Sequence, residues 1–227
     1  MRVEIASDAS LLVRFGESAS DECFAAVTKL FQHLQALHDP RIRNLHPAYA
    51  TVLIDFDPLR MSHEELSGIV NELMQLGTGS GGSGRIVRIP VCYGSEFGPD
   101  LAFVSEHSRL SVEEVIRLHS SASYVVHFLG FSPGFGYLDG LPARLACPRL
   151  ESPRTRVAAG SVGIAGAQTG VYPLDSPGGW RLVGRTPLRM FDPLADSPSR
   201  LEPGDTVQFV AIDRGEFDEL ASRERAR

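Results

Sequence analysis

The sequence predicts a small α+β domain followed by a mostly-β domain, and two observations carry that reading. A glycine- and serine-rich tract, residues 77–84, divides the chain. Hydrophobic spacing then differs on its two sides: helical and strand-like before it, short β-rich runs between turns for most of the length after it. Small side chains cannot bury enough apolar surface to order themselves, so 77–84 reads as a flexible linker between residues 1–76 and 85–227.

Residues 1–76 open with two β-like runs, 3–5 and 11–15. A helix is expected over 18–37, because Phe24, Val27, Leu30, Phe31, Leu34 and Leu37 recur at three- and four-residue steps. Strands follow at 42–45 and 49–56. Ser62 with Glu65 resembles a capping box and opens a second helix reaching about residue 76. Strands with two helices on one face make an α+β unit.

Residues 85–91 predict the first strand of the second domain, and 99–108 and 111–119 two short helices, the latter capped by Ser111 and Glu114. From 124 to 210 helical periodicity nearly disappears. Runs at 124–129, 161–165 and 206–212 alternate with glycine- and proline-rich turns, the pattern of a barrel or sandwich. The last dozen residues are charged and read as frayed or a short helix.

The 227 residues carry a formal net charge of −6, which argues against nucleic acid or an anionic membrane as partner. No apolar run reaches the ~18 residues that span a bilayer. The start, Met1 to Ile5, lacks the basic and apolar regions of a signal peptide. Cys23, Cys92 and Cys147 are odd in number and lack metal-ligand spacing. They read as free thiols in a cytoplasmic protein.

Two dense blocks stand out. In Gly130-Phe131-Ser132-Pro133-Gly134-Phe135-Gly136-Tyr137, glycine frees the backbone, proline stiffens it and the aromatic rings are set close together. Such a loop either receives a ligand or solves a packing problem at a barrel corner. The second block holds Arg149, Arg154, Arg156, Ser161, Gln168, Thr169, Trp180, Arg185 and Thr186. Arginine offers a planar fork matched to carboxylate or phosphate, or it serves in ordinary salt bridges. Gln168 and Thr169 either bind a polar ligand or satisfy a turn. His119 is either a general acid–base or a histidine at a helix C-terminus. His127 reads as packed or surface-lying. No nucleophile elbow, zincin helix or Walker loop is visible.

In these blocks the chain resembles the 5-oxoprolinase B-subunit family, also called the Kip inhibitor or allophanate hydrolase subunit 1 family. The shared elements fall on His119, Tyr124, Gly130 to Leu138, Pro148-Arg149, Pro153-Arg154, Gly160-Ser161, Gln168 to Pro173 and Ser176 to Pro187. Ala158 stands where the family usually has proline, which loosens one turn and removes no polar group.

The resemblance implies that the second domain is a cyclophilin-like β-barrel. It also implies a protein that works with separate A and C subunits in cleaving 5-oxo-L-proline to glutamate with ATP, Mg²⁺ accompanying the nucleotide. Phosphorylating the lactam oxygen would make the ring carbon electrophilic. His119, Tyr124 and Arg154 are then the expected catalytic residues. Arg149, Arg156 and Arg185 would bind anionic groups, and Phe131, Pro133, Gly134, Phe135, Tyr137, Ser161, Gln168, Thr169, Trp180 and Thr186 would complete the site. Rival readings are a carboxyltransferase subunit of a urea-carboxylase-like enzyme, an inhibitor of a sensor histidine kinase, and a ligand-binding barrel without turnover.

Overall fold

A computed structural model describes residues 1–18, 20–76 and 84–225. The predicted linker therefore lies, apart from Gly84, outside the described residues. The chain forms two compact units, Met1–Gly84 and Arg85–Arg227.

The first unit runs β1 (Arg2–Ser7), β2 (Ser10–Arg14), α1 (Asp21–Leu37), β3 (Ile42–Pro47), β4 (Thr51–Phe56) and α2 (His63–Gln75). Its strands form one sheet in the order β1-β2-β4-β3, every pair antiparallel. Alternate residues Leu11 and Val13, and Val52, Ile54 and Phe56, point to one face. There they pack with Val27, Leu30 and Leu34 of α1 and Leu66, Val70 and Leu73 of α2.

Helix α1 starts three residues later than predicted because the Ser20 hydroxyl caps it, accepting the Cys23 N–H at 3.2 Å. Leu37, expected on the buried stripe, is 43% exposed, and Cys23 takes a place on it instead. At α2 only half of the expected capping box forms. Ser62 accepts the Glu65 N–H, but Arg41 draws the Glu65 carboxylate away at 2.6 Å.

The second unit runs β5 (Ile86–Tyr93), α3 (Leu101–Ser108), α4 (Val112–Ser121), β6 (Ser123–Leu129), β7 (Gly136–Asp139), β8 (Arg154–Val157), β9 (Ser161–Ala165), β10 (Gln168–Val171), β11 (Ser176–Gly178), β12 (Arg181–Arg185), β13 (Thr206–Ala211) and α5 (Arg214–Arg225). Seven strands close a barrel in the order β10-β7-β6-β13-β5-β12-β9, while β11 and β8 make a separate two-stranded ribbon. The β5–β13 pair is parallel. Closure leaves no free sheet edge in the barrel.

Helix α4 begins with a complete capping box: Ser111 accepts the Glu114 N–H and Glu114 accepts the Ser111 N–H. The barrel core joins Ile89, Val91, Val126, Val162, Ile164 and Val207 to Val115 of α4 and Leu101 and Val104 of α3. The C-terminal residues 214–225 form a full helix rather than a frayed tail, with Phe217 its buried anchor against Phe97 at 4.3 Å. No helix among the described residues is long and apolar enough to cross a membrane.

Candidate functional site

The predicted site residues fall into three neighbourhoods of the barrel unit. The first is its interior. His119, near the end of α4, is wholly buried, with Nδ1 2.8 Å from the Tyr93 hydroxyl and Nε2 2.9 Å from Thr169 Oγ1. Thr169 donates its own proton to the Gly163 carbonyl at 2.9 Å, so it accepts from His119. Nε2 therefore carries the imidazole proton and Nδ1 accepts from Tyr93.

Tyr124 donates to the His119 carbonyl at 2.7 Å, and Phe209 stacks on the imidazole at 4.7 Å. Burial lowers the His119 pKa from 6.5 to about 3, so the ring is neutral. Burial pushes both tyrosine hydroxyls upward. The acid–base role expected of His119 and Tyr124 does not fit this placement: the ring is sealed in the core and both its nitrogens are already bonded.

The second neighbourhood is an aromatic–arginine corner. Phe131, Phe135, Tyr137 and Trp180 do come together, and Tyr172 joins them. Phe135 is the hub, with Phe131 at 5.5 Å, Tyr137 at 5.1 Å, Tyr172 at 5.5 Å and Trp180 at 5.4 Å, all edge-to-face. The ring of Phe131 also meets Tyr172 at 6.3 Å. Gly134 turns the loop at φ +81°, where a Cβ would stand 2.8 Å from Phe191; Pro133 lies exposed beside it.

Phe131 itself holds φ +69° and is 62% exposed. A bulky residue in the left-handed region costs about 1–2 kcal/mol. The Tyr172 hydroxyl is pushed up by burial, against the Trp180 backbone N–H bonded to it and the charges of Arg149 and Arg154. Those two arginines therefore belong to the corner.

Arg154 Nη2 donates to Asp100 Oδ1 at 2.9 Å, and Asp100 Oδ2 accepts the Leu182 N–H at 2.7 Å. Its Nη1 is buried and unpartnered among the described residues, as are Ser132 Oγ and Ser176 Oγ. Ser132 sits in the Phe131 loop. Ser176 lies on β11, where Gly178 pairs with Arg154 across the ribbon.

The third neighbourhood is the rim. Arg156 is not part of an anion pocket: its exposed side chain is spent on Asp175, at 2.9 Å from Nε and 2.6 Å from Nη2. Arg185 Nε donates to the Ala159 carbonyl at 2.8 Å, and the Thr186 N–H donates to the Gly160 carbonyl. Arg185 and Thr186 line a cleft of about 450 Å³ facing Arg214, Phe217 and Ala221 of α5. Ser161 is buried beside it, its N–H bonded to Ala158 and its carbonyl to Tyr172. Gln168 is half-buried on β10, paired with Ala165. His127 is mostly buried, with Nε2 3.5 Å from Asp139.

Sequence reasoning missed Asp100, Ser132, Tyr172 and Ser176 as site residues. Tyr172 stood within a motif block, so its aromatic ring was a usable signal. Asp100 gave none, since it lies 54 residues from Arg154. Among the described residues no group of three or more His, Cys, Asp or Glu side chains is placed to hold a metal ion.

Comparison with known proteins gives a consistent picture. The family described as carboxyltransferase domain, subdomain C and D, matches residues 1–201. The 5-oxoprolinase B subunit of Bacillus subtilis (strain 168) is 39% identical over 227 residues, covering 95% of each chain. Its counterpart from Escherichia coli O157:H7 is 57% identical over 131 residues, which is 58% of this chain and 60% of that one. The crystal structure of TTHA0988 superposes with a TM-score of 0.80 at 37% identity, covering 90% of this chain and 40% of the longer one.

Proposed function

The chain belongs to the carboxyltransferase-domain family of subdomains C and D and, within it, to the 5-oxoprolinase B-subunit proteins, and from that premise we propose that it is the B subunit of an ATP-dependent 5-oxoprolinase. The observation that carries this reading is near-full-length likeness to a protein of that name, 39% identical over 95% of both chains. The complex is a hydrolase: it opens the lactam of 5-oxo-L-proline and releases L-glutamate at the expense of ATP. This chain acts there with the A and C subunits, in the cytoplasm, and is inactive alone.

Opening a lactam needs activation of a resonance-stabilised amide, and the species formed along the way carry added negative charge. In this reading the barrel unit contributes two cationic places. One is the corner of Arg154 and Arg149 with Phe131, Phe135, Tyr137, Tyr172 and Trp180. The other is the rim cleft of Arg185 and Thr186. The His119–Thr169–Tyr124 network holds the barrel that carries them. Mg²⁺ enters with the nucleotide phosphates.

The test is ATP-dependent glutamate release from 5-oxo-L-proline by this chain mixed with its neighbouring A and C subunits, each omitted in turn. Loss of activity on leaving out this chain is the expected result. Full activity without it, or none in any mixture, refutes the assignment.

A further inference from the structure

We propose that the Arg154 corner binds the carboxylate of a small ring-shaped acid, with Asp100 as the residue that positions the guanidinium. The inference rests on the 5-oxoprolinase reading, which supplies 5-oxo-L-proline as that acid.

Three features of the corner point to a ligand. Arg154 is anchored at one nitrogen only. Asp100, 7% exposed, holds Nη2 with one oxygen and is itself held by the Leu182 N–H through the other. That leaves Nη1 buried without an acceptor. A buried donor of a charged group left unmade is expensive, and such groups in native proteins normally find a partner. The partner missing here is an acceptor that arrives from outside. Arg149, exposed and without a carboxylate partner among the described residues, adds a second positive charge near the Tyr172 hydroxyl.

Next, the other two unpartnered hydroxyls, Ser132 Oγ and Ser176 Oγ, belong to the segments framing the same aromatic cluster. Hydroxyls donate and accept, as the N–H and C=O of a lactam require. Last, Phe131 keeps an exposed ring in a strained backbone conformation over Tyr172 and Phe135. Such strain persists where the surrounding fold over-determines it, typically at ligand clamps. An apolar face beside a half-satisfied guanidinium suits a flat ring bearing one carboxylate. A phosphate, with more charge and more acceptor oxygens, asks for more donors than one buried Nη1 supplies.

Trp180 is the only tryptophan of the chain and sits inside the cluster, so its fluorescence reports on the corner. The full chain is titrated with 5-oxo-L-proline, with 2-pyrrolidinone, which has the same ring but no carboxylate, and with inorganic phosphate. A saturable response to the first is expected. 2-Pyrrolidinone should bind at least ~tenfold more weakly, and phosphate should fail to displace the acid. Arg154→Lys and Asp100→Asn should each weaken binding by about tenfold or more. In the reconstituted complex they should raise KM for 5-oxo-L-proline and leave kcat nearly unchanged, whereas loss of fold would lower kcat at constant KM.

No saturable response together with an unchanged KM in both variants overturns the proposal. So does equal affinity for 2-pyrrolidinone, or displacement by phosphate. If the complex needs this chain yet the variants keep their KM, the corner assignment fails and the 5-oxoprolinase reading stands. If the chain binds the acid through Arg154 while no mixture turns it over, the reverse holds.

Discussion

His119 gives its Nε2 proton to Thr169 Oγ1 at 2.9 Å, and this bond links helix α4 to strand β10 through the centre of the barrel. Both partners are wholly buried. The chain of donors is complete, from Tyr93 to His119, to Thr169, to the Gly163 carbonyl. Every member is satisfied only while the imidazole is neutral, because a protonated Nδ1 would face Tyr93 as a second donor.

That dependence sets a pH response. Burial depresses the folded-state pKa of His119 to about 3, below its unfolded value of 6.5. Between these values the unfolded chain binds a proton that the folded chain refuses, so its contribution is full above pH 6.5 and is lost as pH falls. Stability measured by urea unfolding should drop toward ~1.4 kcal/mol per pH unit once pH is well below 6.5. His119→Gln should remove this share of the slope between about pH 6.5 and 5. An unchanged slope in that variant would show that the imidazole is not the titrating group.

Thr169 tests the same network from its other side. Thr169→Val keeps the shape but removes one acceptor and one donor, stranding His119 Nε2 and the Gly163 carbonyl in the core. The expected cost is about 2–4 kcal/mol. Thr169→Ser keeps the oxygen and loses a methyl, for about 1 kcal/mol. Equal losses for the two substitutions, read by chemical denaturation, would mean that packing rather than hydrogen bonding matters at this position.

Three glycines separate steric from conformational roles. At Gly160, φ is +83° and an added Cβ would lie 2.3 Å from the Thr186 carbonyl oxygen. At Gly166, φ is +58° with nothing within 4 Å of the added atom. Gly68 stands in α2 with equally open space. Gly166→Ala should cost about 1–2 kcal/mol, and Gly160→Ala clearly more, because backbone must also move. Gly68→Ala should stabilise by about 0.5–1 kcal/mol through helix propensity. Thermal melts of the three variants should keep that order.

The parts of the molecule legible in sequence are those decided by neighbours in the chain. The Ser111–Glu114 box formed because both partners lie on one turn of α4. The rings of Phe131, Phe135 and Tyr137 share one short loop-and-strand segment, so their grouping was readable. Trp180 joined them through the close approach of a second glycine-rich block.

Burial and long-range pairing were not readable. His119 had two open readings until barrel closure sealed it away from solvent. Glu65 had the spacing for a cap, but Arg41, 24 residues away, took its carboxylate. The four arginines looked alike and are not: Asp100 holds one, Asp175 neutralises another, Arg149 is exposed and unpaired among the described residues, and Arg185 lines a separate cleft. Each outcome depends on a partner that only the folded barrel brings near.

Phe131 is where stability and use should part. Its φ of +69° costs about 1–2 kcal/mol, and its ring is 62% exposed, so folding recovers little from burying it. Phe131→Gly relieves the strain while adding unfolded-state entropy worth roughly 0.5–1 kcal/mol. Unfolding free energy should therefore stay level or rise slightly. Phe131→Ala keeps the backbone penalty without the ring contacts and should melt lower. If the ring faces the bound acid, both substitutions should raise KM for 5-oxo-L-proline severalfold in the reconstituted complex. A glycine variant that melts several degrees lower would show that the ring contacts with Phe135 and Tyr172 outweigh the strain, and that this residue is held for packing alone.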